Sequence, residues 1–170
     1  MKNVILIGLM GAGKTTVGKR LSQRLGWNFV DTDHLVEKNC GTSVSVIFEV
    51  EGESGFRQRE EKVIEKIMRE EEQIIATGGG APTIETNRNN LKKGYVIYLC
   101  VKPHSLWARL KHDDSRPLLQ ASDNVRGKLE ALFEERDPIY RSLADHVFSG
   151  ENLTLRVLTT KIIKIVITGM

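Results

Sequence analysis

The sequence predicts an α/β fold built around a parallel β-sheet, on two observations. Apolar runs of strand length alternate with longer stretches of helical periodicity, the pattern left by successive strand–helix–strand units. Between the first such run and the first helical stretch stands Gly8-Leu9-Met10-Gly11-Ala12-Gly13-Lys14-Thr15. This is a G-x-x-x-x-G-K-[ST] motif in the strand-to-helix position its chemistry requires.

Asn3–Gly8 is the first strand, and Lys14–Leu25 sets Val17, Leu21 and Leu25 on one face of a helix. Asn28–Asp31 is the second strand. Phe56–Met68 repeats Val63, Ile64 and Ile67 at helical spacing and leads into a third strand, Gln73–Thr77, closed by Gly78-Gly79-Gly80. Tyr95–Val101 is the fourth strand. Gly127–Glu135 carries Leu129, Leu132 and Phe133 as a helix, and Pro138 is expected to break it, because proline lacks an N–H and clashes with the preceding turn. His146–Phe148 completes the strands. The tail Leu153–Ile167 is rich in β-branched residues that favour strand, but it is assigned as helix because a closing helix would cover the sheet. With no repeat or low-complexity linker, the 170 residues are expected to form one domain.

A chain of 170 residues can bury roughly 68–70% of its unfolded surface. Hydrophobic residues at 40% and charged residues at 28% exclude a disordered or collagenous chain. The 25 Lys and Arg exceed the 22 Asp and Glu by only three, aromatics are 6%, and no basic run occurs, so nucleic acid is not an expected partner. The acidic run Glu70–Glu72 fits a solvated helix end. Cys40 and Cys100 match neither a disulfide framework nor zinc spacing, which suits a reducing compartment. The apolar Val4–Ile7 run is too short for a signal peptide, and no 18 apolar residues run together, so a soluble cytoplasmic protein without a membrane partner is expected.

The Gly8–Thr15 loop is the strongest chemical signal. Its glycines let backbone N–H groups wrap an anion, and the helix that follows points its positive end at the same place. Lys14 would bridge terminal phosphates, and the Thr15 hydroxyl would hold Mg²⁺. Neither the strand ending at Thr77 nor the one ending at Val101 finishes in the acid that holds metal in many P-loop NTPases. The acids come earlier, in Asp31-Thr32-Asp33, at the carboxyl edge of the sheet where ligands of open α/β folds collect. One can face the metal and the other a substrate hydroxyl; alternatively, Asp33 caps a helix beginning at His34.

Phe56-Arg57-Gln58-Arg59-Glu60 offers guanidinium forks suited to a carboxylate or phosphate, or else a salt-bridged helix surface. Gly78-Gly79-Gly80, at a strand's carboxyl end, lets a ligand approach the backbone. Arg116-Pro117-Leu118-Leu119 follows the polar Lys111–Ser115 stretch as a candidate flap, and Arg136 stands just before Pro138.

In order, these motifs resemble the shikimate kinase family across about residues 3–148. The resemblance implies a nucleoside-monophosphate-kinase-like P-loop fold: a five-stranded parallel sheet flanked by helices, a lid at about 111–124 and a substrate-binding subregion at about 32–60. It also implies Mg²⁺-dependent transfer of the γ-phosphoryl group of ATP to the 3-hydroxyl of shikimate, in aromatic amino-acid biosynthesis, by a cytoplasmic monomer. Gly11, Ala12, Gly13, Lys14, Thr15 and Thr16 would bind the ATP phosphates, and Thr15 and Asp31 the metal. Asp33 would orient or deprotonate the attacking hydroxyl, Arg57 and Arg136 would grip the carboxylate, and Gly78, Gly79 and Gly80 would add backbone contacts. Arg116 would neutralise phosphate charge from the lid, and Arg109 would stack near adenine.

The chain departs from the family pattern after Phe148, reading Ser149-Gly150-Glu151-Asn152-Leu153 where an acid-Thr pair and a later proline are frequent. Ala81 also replaces a larger aliphatic residue. Another small-molecule kinase of this fold, such as a gluconate kinase, would share the phosphate loop. A regulatory nucleotide switch would need an Asn-Lys-x-Asp motif, which the chain lacks.

Overall fold

The computed structural model describes residues 2–110, 124–149 and 153–169. Five strands, β1 (Val4–Ile7), β2 (Asn28–Asp31), β3 (Gln73–Ala76), β4 (Tyr95–Cys100) and β5 (His146–Ser149), form one sheet in the order β2-β3-β1-β4-β5. Every neighbouring pair is parallel. β1 and β3 are buried at each position, as continuous apolar strands covered on both faces must be. Register aligns the strand ends: Asp31 stands opposite Ala76, Ala76 opposite Leu6, and Leu6 opposite Ile97. The loops after β1, β2 and β3 therefore leave the sheet at one level, and that common edge holds the candidate site.

Seven α-helices complete the described residues: α1 (Lys14–Leu25), α2 (Thr32–Cys40), α3 (Val44–Ile67), α4 (Glu85–Leu91), α5 (Pro103–Leu110), α6 (Val125–Leu143) and α7 (Leu155–Gly169). α1 buries Val17, Gly18 and Leu21, and a Cβ on Gly18 would run into the Phe29 ring, so the glycine sets how closely α1 lies against β2. α3 is bent at Gly52 (φ 70°, ψ −177°), so Arg57 and Glu60 sit early in its second segment and not at the head of the whole helix. Ala81–Thr83 forms a single 3₁₀ turn after the glycine triplet.

The tail is the helix expected of it. Leu158, Ile162 and Val166 recur every four residues and are buried, so one apolar stripe outweighs the strand preference of its β-branched side chains. Pro138, however, does not end α6, which runs on to Leu143. Leu129, Arg136, Tyr140 and Leu143 lie on one buried face, while Pro138 and Glu134 are exposed. Water can therefore satisfy the carbonyl that proline leaves without a donor, and burial beyond the proline holds the helix together. α4, α5 and the first segment of α3 were not assigned from sequence, and α2 was read only as an alternative helix beginning at His34.

Both cysteines are free. Among the described residues, no helix is long and apolar enough to cross a membrane.

Candidate functional site

The loop after β1 takes left-handed backbone at Gly11 (φ 77°) and Gly13 (φ 94°), a region that L side chains rarely adopt. The ammonium of Lys14 is folded back over this loop and donates to the carbonyls of Gly8 (2.7 Å) and Leu9 (2.9 Å). Thr15 Oγ1 donates to Asp31 Oδ2 at 2.9 Å. The other Asp31 oxygen accepts from the backbone N–H groups of Asp33 (3.1 Å) and His34 (3.3 Å). Asp31, not Asp33, is thus the cap of α2, and the capping reading of Asp33 falls.

The Thr15–Asp31 pair tests whether Mg²⁺ fits. Mg²⁺ takes one or two carboxylates and completes its shell with water and phosphate oxygens, so a hydroxyl and a carboxylate in contact beside a phosphate loop form a suitable donor set. A dedicated protein cage is not needed, and among the described residues no cluster of three or more His, Cys, Asp or Glu could form one.

α3 and the loop after β3 build the neighbouring cavity. Arg57, with 12% of its side chain exposed, donates to Glu60 Oε2 at 2.7 Å and to Glu53 Oε1 at 3.2 Å. Burial works against the Arg57 charge, but the Glu60 and Glu53 carboxylates outweigh it and raise its pKa. Glu60 is fully buried, and its Oε1 has no hydrogen-bond partner. Burial pushes its carboxyl up to about 7, assisted by the Asp33 charge and opposed by Arg57 and Arg136.

The glycine triplet fits closely against these charges. A Cβ on Gly80 would overlap the Arg57 guanidinium, and one on Gly78 would crowd the Glu60 and Asp33 carboxylates. The Gly78 N–H donates to the buried Thr32 hydroxyl at 2.9 Å, tying the triplet to α2. Arg136 is 6% exposed and brings Nη1 to 3.6 Å from the Cβ position of Gly79.

Two cavities result. Arg57, Arg136, Asp33 and Gly78–Gly80 line one, walled by Met10, Val44, Phe48 and Phe56. Gly11, Gly13, Lys14, Thr15, Thr16, Asp31 and Arg109 line the other. Met10, Asp33 and Gly79 line both, so the Asp33 carboxylate stands where the two meet. Chemically, one cavity suits polyphosphate with a metal and the other a small anion with a hydroxyl at the junction.

Most of the candidate residues from sequence converge here. Arg109 donates to the Gly11 carbonyl at 3.2 Å. Arg59 does not join them; it is half-exposed and pairs with Glu51 at 2.6 Å. Arg116 and nearly all of the 111–124 segment lie outside the described residues, as do Gly150, Glu151 and Asn152. Sequence reasoning missed the apolar wall of Val44 and Phe48 and gave Glu60 no role. The i,i+3 spacing of Arg57 and Glu60 was the available signal.

A P-loop before α1, a five-stranded parallel sheet in this order and an acceptor cavity beside the phosphate cleft define a small-molecule kinase of the nucleoside-monophosphate-kinase-like class. The family model for shikimate kinase matches residues 10–166. A shikimate kinase of Burkholderia lata is 52% identical over 146 residues, covering 85% of this chain and 79% of the relative. One of Legionella pneumophila is 44% identical over 165 residues, covering 96% and 94%. The structure of the Acinetobacter baumannii shikimate kinase in complex with shikimate superposes with a TM-score of 0.95 at 40% identity, covering 99% of this chain and 94% of that one. The chain belongs to the shikimate kinase family, whose phosphoryl donor is ATP with Mg²⁺.

Proposed function

We propose that this chain transfers the γ-phosphoryl group of ATP to the 3-hydroxyl of shikimate, giving shikimate 3-phosphate and ADP, with Asp33 as the residue that joins the two substrates. The observation carrying this reading is the position of Asp33 on the wall common to both cavities. Arg57 and Arg136 bind the shikimate carboxylate, a task suited to two largely buried guanidinium forks. Asp33 accepts a hydrogen bond from the attacking hydroxyl and takes its proton as the new P–O bond forms. Gly78, Gly79 and Gly80 supply backbone contacts on the acceptor side.

Gly11, Ala12, Gly13 and Thr16 cradle the ATP phosphates, Lys14 swings from its loop carbonyls to the terminal phosphate oxygens, and Arg109 flanks the nucleotide. Thr15 and Asp31 would hold Mg²⁺, which when bound neutralises phosphate charge. Phosphoryl transfer asks the protein mainly for in-line placement and charge neutralisation, and these residues provide both. The assignment of Arg116 as the lid arginine rests on the sequence resemblance. On this reading the chain is one kinase domain acting as a cytoplasmic monomer, with residues 32–60 as the acceptor subregion and 111–124 as the lid.

A coupled ADP-release assay with shikimate, gluconate and nucleoside monophosphates tests it. Turnover is expected with shikimate alone; selective turnover of either other class would overturn the reading.

A further inference from the structure

Tyr140 is fully buried, four residues after Arg136 on the same face of α6, and its hydroxyl donates to the Gly79 carbonyl. Its ring packs against Tyr98 at a centroid separation of 5.0 Å, which leaves the phenol little freedom to turn away. The Arg136 guanidinium reaches the same glycine, with Nη1 3.6 Å from the Gly79 Cβ position. The phenolic oxygen and the arginine therefore meet at the central glycine of the loop that lines the cavity. Nothing in the proposed transfer of phosphate uses this group.

We propose that Tyr140 is a positioning residue for the acceptor: its hydroxyl holds the Gly79 carbonyl and the Arg136 fork in one fixed relation, and so governs affinity for the carboxylate-bearing substrate. The proposal rests on the reading of the cavity as the shikimate site. Its physical basis is that a ligand gripped at once by a backbone loop and a guanidinium binds well only if the two are mutually registered beforehand. Without the hydroxyl, the part-buried Gly79 carbonyl loses its donor, and the loop beside Arg136 loses the bond that fixes it. The nucleotide cleft would feel this less, because its phosphate-loop groups lie on the loop after β1 and on α1, and of the glycine triplet only Gly79 reaches its wall.

Tyr140→Phe keeps the ring and removes the oxygen. Tyr98→Phe is the control: it also removes a half-buried phenol oxygen, one that donates to Asp137 Oδ1 at 2.9 Å and not to the acceptor loop. Tyr140→Phe is expected to raise KM for shikimate, and its calorimetric Kd without nucleotide, about tenfold, with kcat and KM for ATP changed by less than about twofold. For an analogue lacking the carboxylate, wild type and Tyr140→Phe should bind alike. Tyr98→Phe should leave shikimate affinity unchanged.

The proposal is overturned if Tyr140→Phe binds shikimate as wild type does, if both variants weaken shikimate equally, or if Tyr140→Phe does not fold, since the hydroxyl would then serve the fold itself. A wild-type protein that binds ATP but fails to phosphorylate shikimate would instead remove the functional reading beneath it.

Discussion

Glu60 illustrates how much a single buried side chain can set. It is inaccessible to solvent, paired with Arg57 on one oxygen and without a partner on the other. Burial therefore pushes it up from 4.5 to about 7, Arg57 pulling the other way. A carboxyl whose pKa is raised on folding stabilises the fold fully below its unfolded value, near 4.5, and loses that contribution as pH rises towards about 7. Glu60→Gln removes this proton linkage while keeping the shape. The advantage of wild type over the variant in urea denaturation should thus shrink between pH 4.5 and 7, by on the order of 3 kcal/mol, and then level off. Parallel stability curves for the two proteins would show that Glu60 does not titrate there. The same proton determines how firmly one arm of the Arg57 fork is committed to the protein, so it also bears on the acceptor cavity.

α6 carries Arg136, which lines the proposed acceptor cavity, and also a proline that ought to interrupt it. An interior proline costs about 3 kcal/mol relative to alanine, whereas its stiffening of the unfolded chain returns only about 0.4–1 kcal/mol. Pro138→Ala should therefore stabilise the protein by about 2 kcal/mol, read as a higher urea midpoint at unchanged m-value. A lower midpoint would mean that the proline shapes packing around Arg136 and Tyr140. The expectation that the helix stops before Pro138 followed local chemistry correctly and still failed, because Tyr140 and Leu143 are buried beyond it. The tail shows the opposite weighting, since its stripe at Leu158, Ile162 and Val166 was readable in the sequence even though its composition favours strand. Legibility ended where position depends on tertiary contact. The bend at Gly52 and the wall formed by Val44 and Phe48 left no local periodicity to read. The spacing of Asp31 and Asp33 left their tasks open and the family resemblance divided them; the cap of α2 at Asp31 removes the alternative of Asp33 as a helix cap.

Across the whole molecule, the aligned strand ends place two ligand sites side by side, and their energetic independence can be measured. The phosphate loop was legible because its motif encodes backbone conformation directly, through glycines at positive φ; the acceptor cavity was legible only as a set of residues whose convergence depends on strand register. That difference predicts a separation of effects. Lys14 is partly exposed and donates to the Gly8 and Leu9 carbonyls of its own loop at 2.7 and 2.9 Å, so Lys14→Ala should leave the unliganded melting temperature nearly unchanged. A ligand at 100 times its Kd stabilises a protein by about 2.7 kcal/mol, which gives a clear upward shift in wild type with either Mg–ATP or shikimate. Lys14→Ala should lose most of the shift with Mg–ATP, keep the shift with shikimate, and show almost no turnover. Asp33→Asn is the complementary case: it should keep a shift with Mg–ATP and lose most of the catalytic rate, because the amide preserves shape but accepts no proton. If Lys14→Ala abolished the shikimate shift as well, the two cavities would be one coupled site, and the junction at Met10, Asp33 and Gly79 would transmit more than proximity.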